Sequence, residues 1–281
     1  MGLLRRFFGL FSDDTQRETE SGSRREVTAS GGRGPDGSGG HQDESGDEPK
    51  QGGHGSHWDT VVAGNDEIQA AIMATVEEGE PSEGVDHVGY AAGAPVGALV
   101  VVAPSGQITT GYPVGEGVTH EFAVERRTVW ANGHEAQFAG SLGPADVSFF
   151  PTNFYALDDE AGDTMEVSLA AFAYALGPVE DTKITDEDGE TYDTAGMAAL
   201  LPMEGGDVDD YSLQTTFKEV TECEFRGRTV YQLRVPLFRG EDGETDFDAY
   251  VYAGEHVLDG YVPAVGDDVA GAVWLQGRVE A

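Results

Sequence analysis

From about residue 85 to the C-terminus, glycine and proline cut the chain into short apolar runs, and that rhythm limits the fold more than any other feature. Such runs, rich in β-branched and aromatic residues, read as strands. They fall at 97–103, 107–114, 119–131, 134–141, 145–151 and 165–176, then at 211–225, 228–239, 246–253 and 268–280. The strand-then-helix alternation of a doubly wound fold is missing. The expected class is therefore mainly β, with one or two small antiparallel barrels. One helix precedes them in "NDEIQAAIMATVEEG". Asn65 suits its N-cap, Asp66 and Glu67 suit the first turn, and Gly79 suits its end. Ile68, Ala71, Ile72 and Val76 share one face. "TAGMAALLP", 194–202, reads as a second, short helix.

Composition divides the chain into five parts. Residues 1–11 are apolar, and 12–57 are dominated by Gly, Ser, Asp and Glu. A β-rich stretch with one helix covers 58–180, a connection 181–210, and a second β-rich stretch 211–281. The 12–57 stretch has too few large apolar residues to offset its ordering entropy, so a disordered acidic linker is expected there. A random coil of that length spans about 35–40 Å. His41, His54 and His57 lie in it and are expected to be solvated.

The whole chain carries 52 acidic against 16 basic residues, a net charge of -36. Three of the bases are lysines, Lys50, Lys183 and Lys218. Self-repulsion at this charge destabilises a compact state in dilute buffer. In about 1 M salt the Debye length falls to about 3 Å and the repulsion is screened. Acid excess with scarce lysine resembles the proteins of halophilic archaea. The competing reading is an acidic protein of ordinary cytosol with cationic partners.

In "MGLLRRFFGLF", Leu3, Leu4, Phe7, Phe8 and Phe11 recur on one helical face with Arg5 and Arg6 beside it. The run is too short to span a bilayer and lacks the cleavage site of a secretory leader. An amphipathic helix that meets a membrane surface or docks on a protein partner is expected. The chain also lacks an N-x-[ST] sequon, in keeping with a cytoplasmic protein, peripheral at the inner membrane face.

"YVPAVGDDVAGAVWLQGRV" ends the chain with a Pro, a Gly-Asp turn and a strand bearing Val269, Val273, Leu275 and Val279. Two runs joined through Gly227 precede it. This pattern resembles the closing part of an OB barrel, and another antiparallel barrel fits it equally. The chain as a whole resembles halophilic archaeal proteins with an OB-like C-terminal barrel, which implies no activity. Two stretches hint at a repeat. "ERRTVWANGHEAQFAG" resembles "RGRTVYQLRVPLFRG", and "FYALDDEAGDTMEVSLAAF" resembles "GYVPAVGDDVAGAVWLQG", each offset by about 100 residues.

The chain has no G-x-S-x-G elbow and no GK[ST] phosphate loop. "HEAQF" opens like a zinc-protease helix but carries Phe138 where the second histidine belongs. His87, His120, His134 and His256 are dispersed, and Cys223 is alone. No catalytic residue, metal or cofactor is assigned. An OB-like barrel that binds single-stranded nucleic acid needs aromatic platforms and a basic groove. Arg226, Arg228, Tyr231, Arg234, Arg239 and Trp274 are the candidates, with cross-strand pairing to acids as the competing role of the arginines. A non-catalytic interaction or scaffold protein is the expected function. Nucleic-acid binding and an enzyme of unrecognised type are the alternatives. Oligomeric state is not legible.

Overall fold

A computed structural model describes residues 53–157, 162–185 and 190–280. Residues 1–11 and most of the expected linker lie outside these. The expected linker ends early, because Gly55–Trp58 forms one helical turn (α1) and Trp58, Val61 and Val62 enter the core. Helix α2 spans Asn65–Glu78. Gly64, not Asn65, occupies its N-cap, and Gly79 caps its end through a bond to the Thr75 carbonyl.

Four strands follow α2 as an antiparallel meander: β1 (Glu80–Glu83), β2 (Val88–Ala92), β3 (Val96–Val102) and β4 (Ile108–Gly115). β1 and β2 were not anticipated: "EPSE" is wholly exposed and carries no apolar pattern. β3 is buried along almost its whole length, as its unbroken apolar run requires.

A closed five-strand barrel comes next. It is built from β5 (Val118–Val129), β6 (Ala136–Leu142), β7 (Ala145–Pro151), β8 (Thr164–Pro178) and the last strand, β16 (Asp268–Val279). β5–β6, β6–β7, β5–β8 and β8–β16 pair antiparallel, and β7–β16 closes the ring in parallel. This is OB-like connectivity. β5 bends to serve two neighbours: Val118–Ala123 pair with β8, and Ala123–Val129 with β6 across a bulge near Val124. Gly140 faces that bend, where a Cβ would stand 2.0 Å from the Ala123 carbonyl oxygen.

Between β8 and β16 lie β9 (Lys183–Thr185), β10 (Thr191–Asp193), β11 (Ala199–Pro202), β12 (Asp210–Thr216), β13 (Glu219–Phe225), β14 (Arg228–Arg239) and β15 (Asp246–Gly254). The helix expected at 194–202 is instead a turn followed by β11, whose Ala199–Pro202 pair with β12. The run 211–225 is two strands. Its first part pairs with β16 and its second with β14, and backbone bonds at Phe217 and Lys218 carry the bend. β14 pairs with β15, and β15 runs parallel to β8.

The order of the first ring is therefore repeated by the second half of the chain: a bent first strand, a hairpin, a 3-10 turn, and a long closing strand. The 3-10 turns are Phe154–Ala156 and Glu255–Leu258. The sequence match between 154–172 and 260–277 falls on equivalent elements. The match between Arg127–Trp130 and Arg228–Tyr231 does not, since it sets the end of a first strand against the start of a second. Each half takes its fifth strand from the other. β8 changes neighbour from β5 to β15 at Ala170, and β16 changes from β12 to β7 near Gln276. Phe172 and Trp274 face each other across the shared pair. The stretches 58–180 and 211–281 thus contribute to one ten-stranded sheet.

Alternation along the shared strands separates two cores. Val167, Leu169, Ala171 and Ala173 of β8 point into the ring interior with Val269, Val273, Leu275 and Val279 of β16. Ala170, Phe172 and Trp274 point outward, where α1, α2, β3 and β4 cover them. Removal of residues 268–281 opens the closed ring and takes from β12 its partner strand. The truncated chain is expected to lose its cooperative unfolding transition, as measured by circular dichroism against urea.

Candidate functional site: a buried histidine–carboxylate network

The outer core contains polar groups that its aromatic lining does not require. His54 stands just ahead of α1, and its side chain is 3 % exposed. Its Nε2 lies 2.6 Å from Oε1 of Glu135, whose side chain is equally hidden. Glu135 ends the tight turn after β5, where Gly133 adopts a positive φ of 76° that favours glycine. Its carboxylate also accepts from the Thr110 hydroxyl at 2.8 Å and from the Asn132 amide. Burial pushes the Glu135 carboxyl up. The hydrogen bond from His54, its charge, and the Thr110 and Asn132 bonds outweigh burial and hold the carboxyl below its usual range.

The His54 ring lies parallel to Trp130 at 5.4 Å and meets the edge of Phe150 at 4.9 Å. Its Nδ1 faces Nδ1 of His57 at 2.7 Å. His57 stacks flat on the Trp274 indole, with centroids 3.8 Å apart and planes 2° apart. The indole N–H of Trp274 then donates to Asp209 at 3.1 Å, and the Gln137 amide donates to the other Asp209 oxygen at 2.7 Å. Burial, reinforced by the neighbouring Asp207 and Asp210, pushes the Asp209 carboxyl up to about 7, against the pull of the Trp274 bond. The Tyr174 hydroxyl donates to Asp210 at 2.8 Å, and burial raises its pKa.

The histidines at 54 and 57 were expected in solvent. The correction has a physical cause: each lies beside glycine or serine, which hides the fold of the segment, and the acid that claims His54 is 81 residues away. His134, dispersed in the sequence, is also buried. Burial lowers its pKa against the bond from its ring to the Asn132 carbonyl, and its ring lies 4.4 Å from that of His87. The extended context expected for "HEAQF" is present, since Ala136 opens β6.

The six candidate residues for nucleic-acid contact lie in the core or against acids of the body. Trp274 is wholly buried. Tyr231 is half-buried against the ring interior. Arg226 meets Glu78 at 2.6 Å, and Arg228 meets Glu67 through two bonds, so α2 is tied at both ends to the turn between β13 and β14. That turn has two residues, Arg226 and Gly227, both at positive φ (50° and 80°), which is the primed geometry of a tight hairpin. Arg234 meets Glu219 and Asp248, each at 2.9 Å, and Arg239 meets Asp246 at 3.1 Å. The four arginines therefore sit against acids of their own body. Leu3, Leu4, Arg5, Arg6, Phe7, Phe8 and Phe11 lie outside the described residues. Cys223 is half-buried, and burial raises its thiol.

No helix among the described residues is long and apolar enough to cross a membrane. No group of three or more His, Cys, Asp or Glu among them is arranged to hold a metal ion. Comparison with known protein families, with curated proteins and with solved structures finds no match in any of the three.

Proposed function

We propose that the chain is a non-catalytic interaction or scaffold protein of a halophilic organism, held through residues 1–11 to a membrane surface or a protein partner. Residues 12–52 serve as its tether. One observation carries this reading: the titratable side chains at the centre of the body are bonded to one another and to aromatic rings of the core. His54 meets Glu135, Trp274 meets Asp209, and Tyr174 meets Asp210. They act as cross-links between the N-terminal segment, the meander and the shared strands. The net charge of -36 supports the salt-adapted part, because a compact body at that charge gains from screening. Burial of Trp274 and pairing of the four arginines give single-stranded nucleic-acid binding less support.

Flotation with anionic vesicles in 2 M KCl tests the membrane form of the proposal, comparing the full chain with one lacking residues 1–12 (the salt being about that of the proposed setting). The full chain is expected to float and the shortened one to stay in the load. If neither floats, the membrane form is wrong. In that case the docking form requires residues 1–12 for capture of a defined partner protein.

A further inference from the structure

We infer that His134 and His87 form a two-histidine site for a late first-row divalent ion such as zinc, set between the meander and the closed barrel. The inference goes beyond the proposed function and does not rest on it. His134 lies in the turn between β5 and β6 and is 7 % exposed. Its Nδ1 stands 2.9 Å from the Asn132 carbonyl oxygen. A carbonyl only accepts, so Nδ1 carries the proton and Nε2 of the neutral ring presents a bare lone pair. That Nε2 is buried and meets no hydrogen-bond partner among the described residues. A buried acceptor left unmatched is costly, and a metal ion satisfies it. Burial also lowers the pKa of this ring, which favours the neutral form that ligates. The pose is fixed from behind: Asn132 Oδ1 accepts from the backbone N–H groups of His134 and Glu135, each at 3.2 Å. An imidazole that donates through one nitrogen to a carbonyl and holds the other bare is oriented as metal-ligating histidines are.

His87 supplies the second ring from the turn between β1 and β2. The two ring centroids are 4.4 Å apart, with planes 34° apart. Two imidazoles bound side by side to one ion at about 2.0–2.1 Å have ring centres about 4.5–5 Å apart. A small movement of His87 therefore converts the observed spacing into the ligating one. His87 is half-buried, and Val85 and Asp86 beside it are exposed, so the ion has a path from solvent. The turn is held in place meanwhile. The Gly84 N–H donates to the His87 carbonyl at 2.8 Å, and the Val85 N–H donates to the Tyr155 carbonyl at 3.3 Å. Among the described residues no third His, Cys, Asp or Glu completes the set, so water or chloride takes the remaining positions. Imidazole suits zinc, copper and nickel, whereas magnesium and calcium require oxygen ligands that this pair does not offer.

Calorimetric titration of zinc chloride into the full chain in 2 M KCl at pH 7.5 tests the site. The wild-type chain is expected to take up zinc, and His87→Ala, a change at a half-buried turn position, to bind it at least tenfold more weakly. Bound zinc should also raise the urea midpoint of the wild-type chain and not that of His87→Ala, because only the folded chain brings the two turns together. Nitrogen-15 spectra of the wild-type imidazoles locate the ion without any variant: the His134 Nε2 resonance is expected to move on zinc addition while Nδ1 stays protonated. A chain that takes up no zinc overturns the inference. So does zinc uptake that His87→Ala weakens less than tenfold, or that leaves the His134 Nε2 resonance in place, since the metal then sits on other side chains.

Discussion

Trp274→Ala is expected to destabilise the protein by about 4 kcal/mol, the range for emptying a large aromatic site in a close-packed core. The indole is fully buried, carries the His57 ring on one face, and lies within 6.5 Å of the centroids of Tyr112, Phe150 and Phe172. It is also the donor to one oxygen of Asp209. Loss of both the ring and the bond leaves a cavity beside a buried carboxyl, and small neighbours such as Ala170 cannot fill it. Trp274→Phe keeps most of the ring and loses only the N–H, so its cost should be about 1–2 kcal/mol. Urea unfolding in 2 M KCl measures both. A solvent-facing stacking platform gives the opposite pattern: an alanine variant that folds normally and loses only ligand affinity.

The second large effect belongs to Asp209. Its carboxyl is raised in the folded state to about 7, while the unfolded chain presents an ordinary value of about 3.9. A raised value means that the folded protein binds the proton more tightly. The resulting stability is fully present below about pH 4 and is lost as pH rises through about 7, a change of about 4 kcal/mol in total. Asp209→Asn removes that dependence. An amide at 209 can accept from Trp274 and donate to a flipped Gln137, which preserves both contacts. The variant's stability relative to wild type is therefore expected to improve by about 3 kcal/mol between pH 4.5 and pH 8. Paired urea titrations at the two pH values check the sign and the size. If the variant loses ground as pH rises, the carboxylate is charged and well solvated in the fold.

Local texture in the sequence revealed the strands but not their partners. The runs at 145–151 and 246–253 are β7 and β15 almost to the residue, and the final run is a closing strand with its three named valines and its leucine inside. The Gly227 hairpin was legible because only a primed turn joins strands across two residues. Strand exchange was not, because β8 and β16 meet across about a hundred residues and neither run differs in texture from a strand that stays in its own half. The bend at Phe217–Lys218 was missed for a similar reason: both its arms keep the alternation of a strand, and only their neighbours differ.

The centre of the body was harder to read. His54 sits in "GGHGSHW", whose glycines and serine are those of a linker, and nothing local says that the histidine is swallowed. Glu135 and Asp209 are two acids among 52. One signal was present: His57 and Trp58 end the polar stretch together, and a tryptophan at the foot of a linker needs a core to enter. The arginines at 226–239 were correctly seen as a cluster, with acid pairing as one of two roles. Their acids include Glu67 and Glu78 on a helix about 150 residues earlier, which no spacing rule reaches.

The histidine–carboxylate network, the meander and the ten-stranded sheet form one structural unit. Trp58, Trp130 and Trp274 all lie in the outer core around the network, so tryptophan fluorescence reports that core alone. Far-ultraviolet circular dichroism reports all the strands. Urea unfolding of the full chain in 2 M KCl, followed by both signals, should give one transition with a shared midpoint. Separate midpoints, with fluorescence lost while the sheet signal stands, would mean that the network is a detachable layer and not the junction that holds the body together.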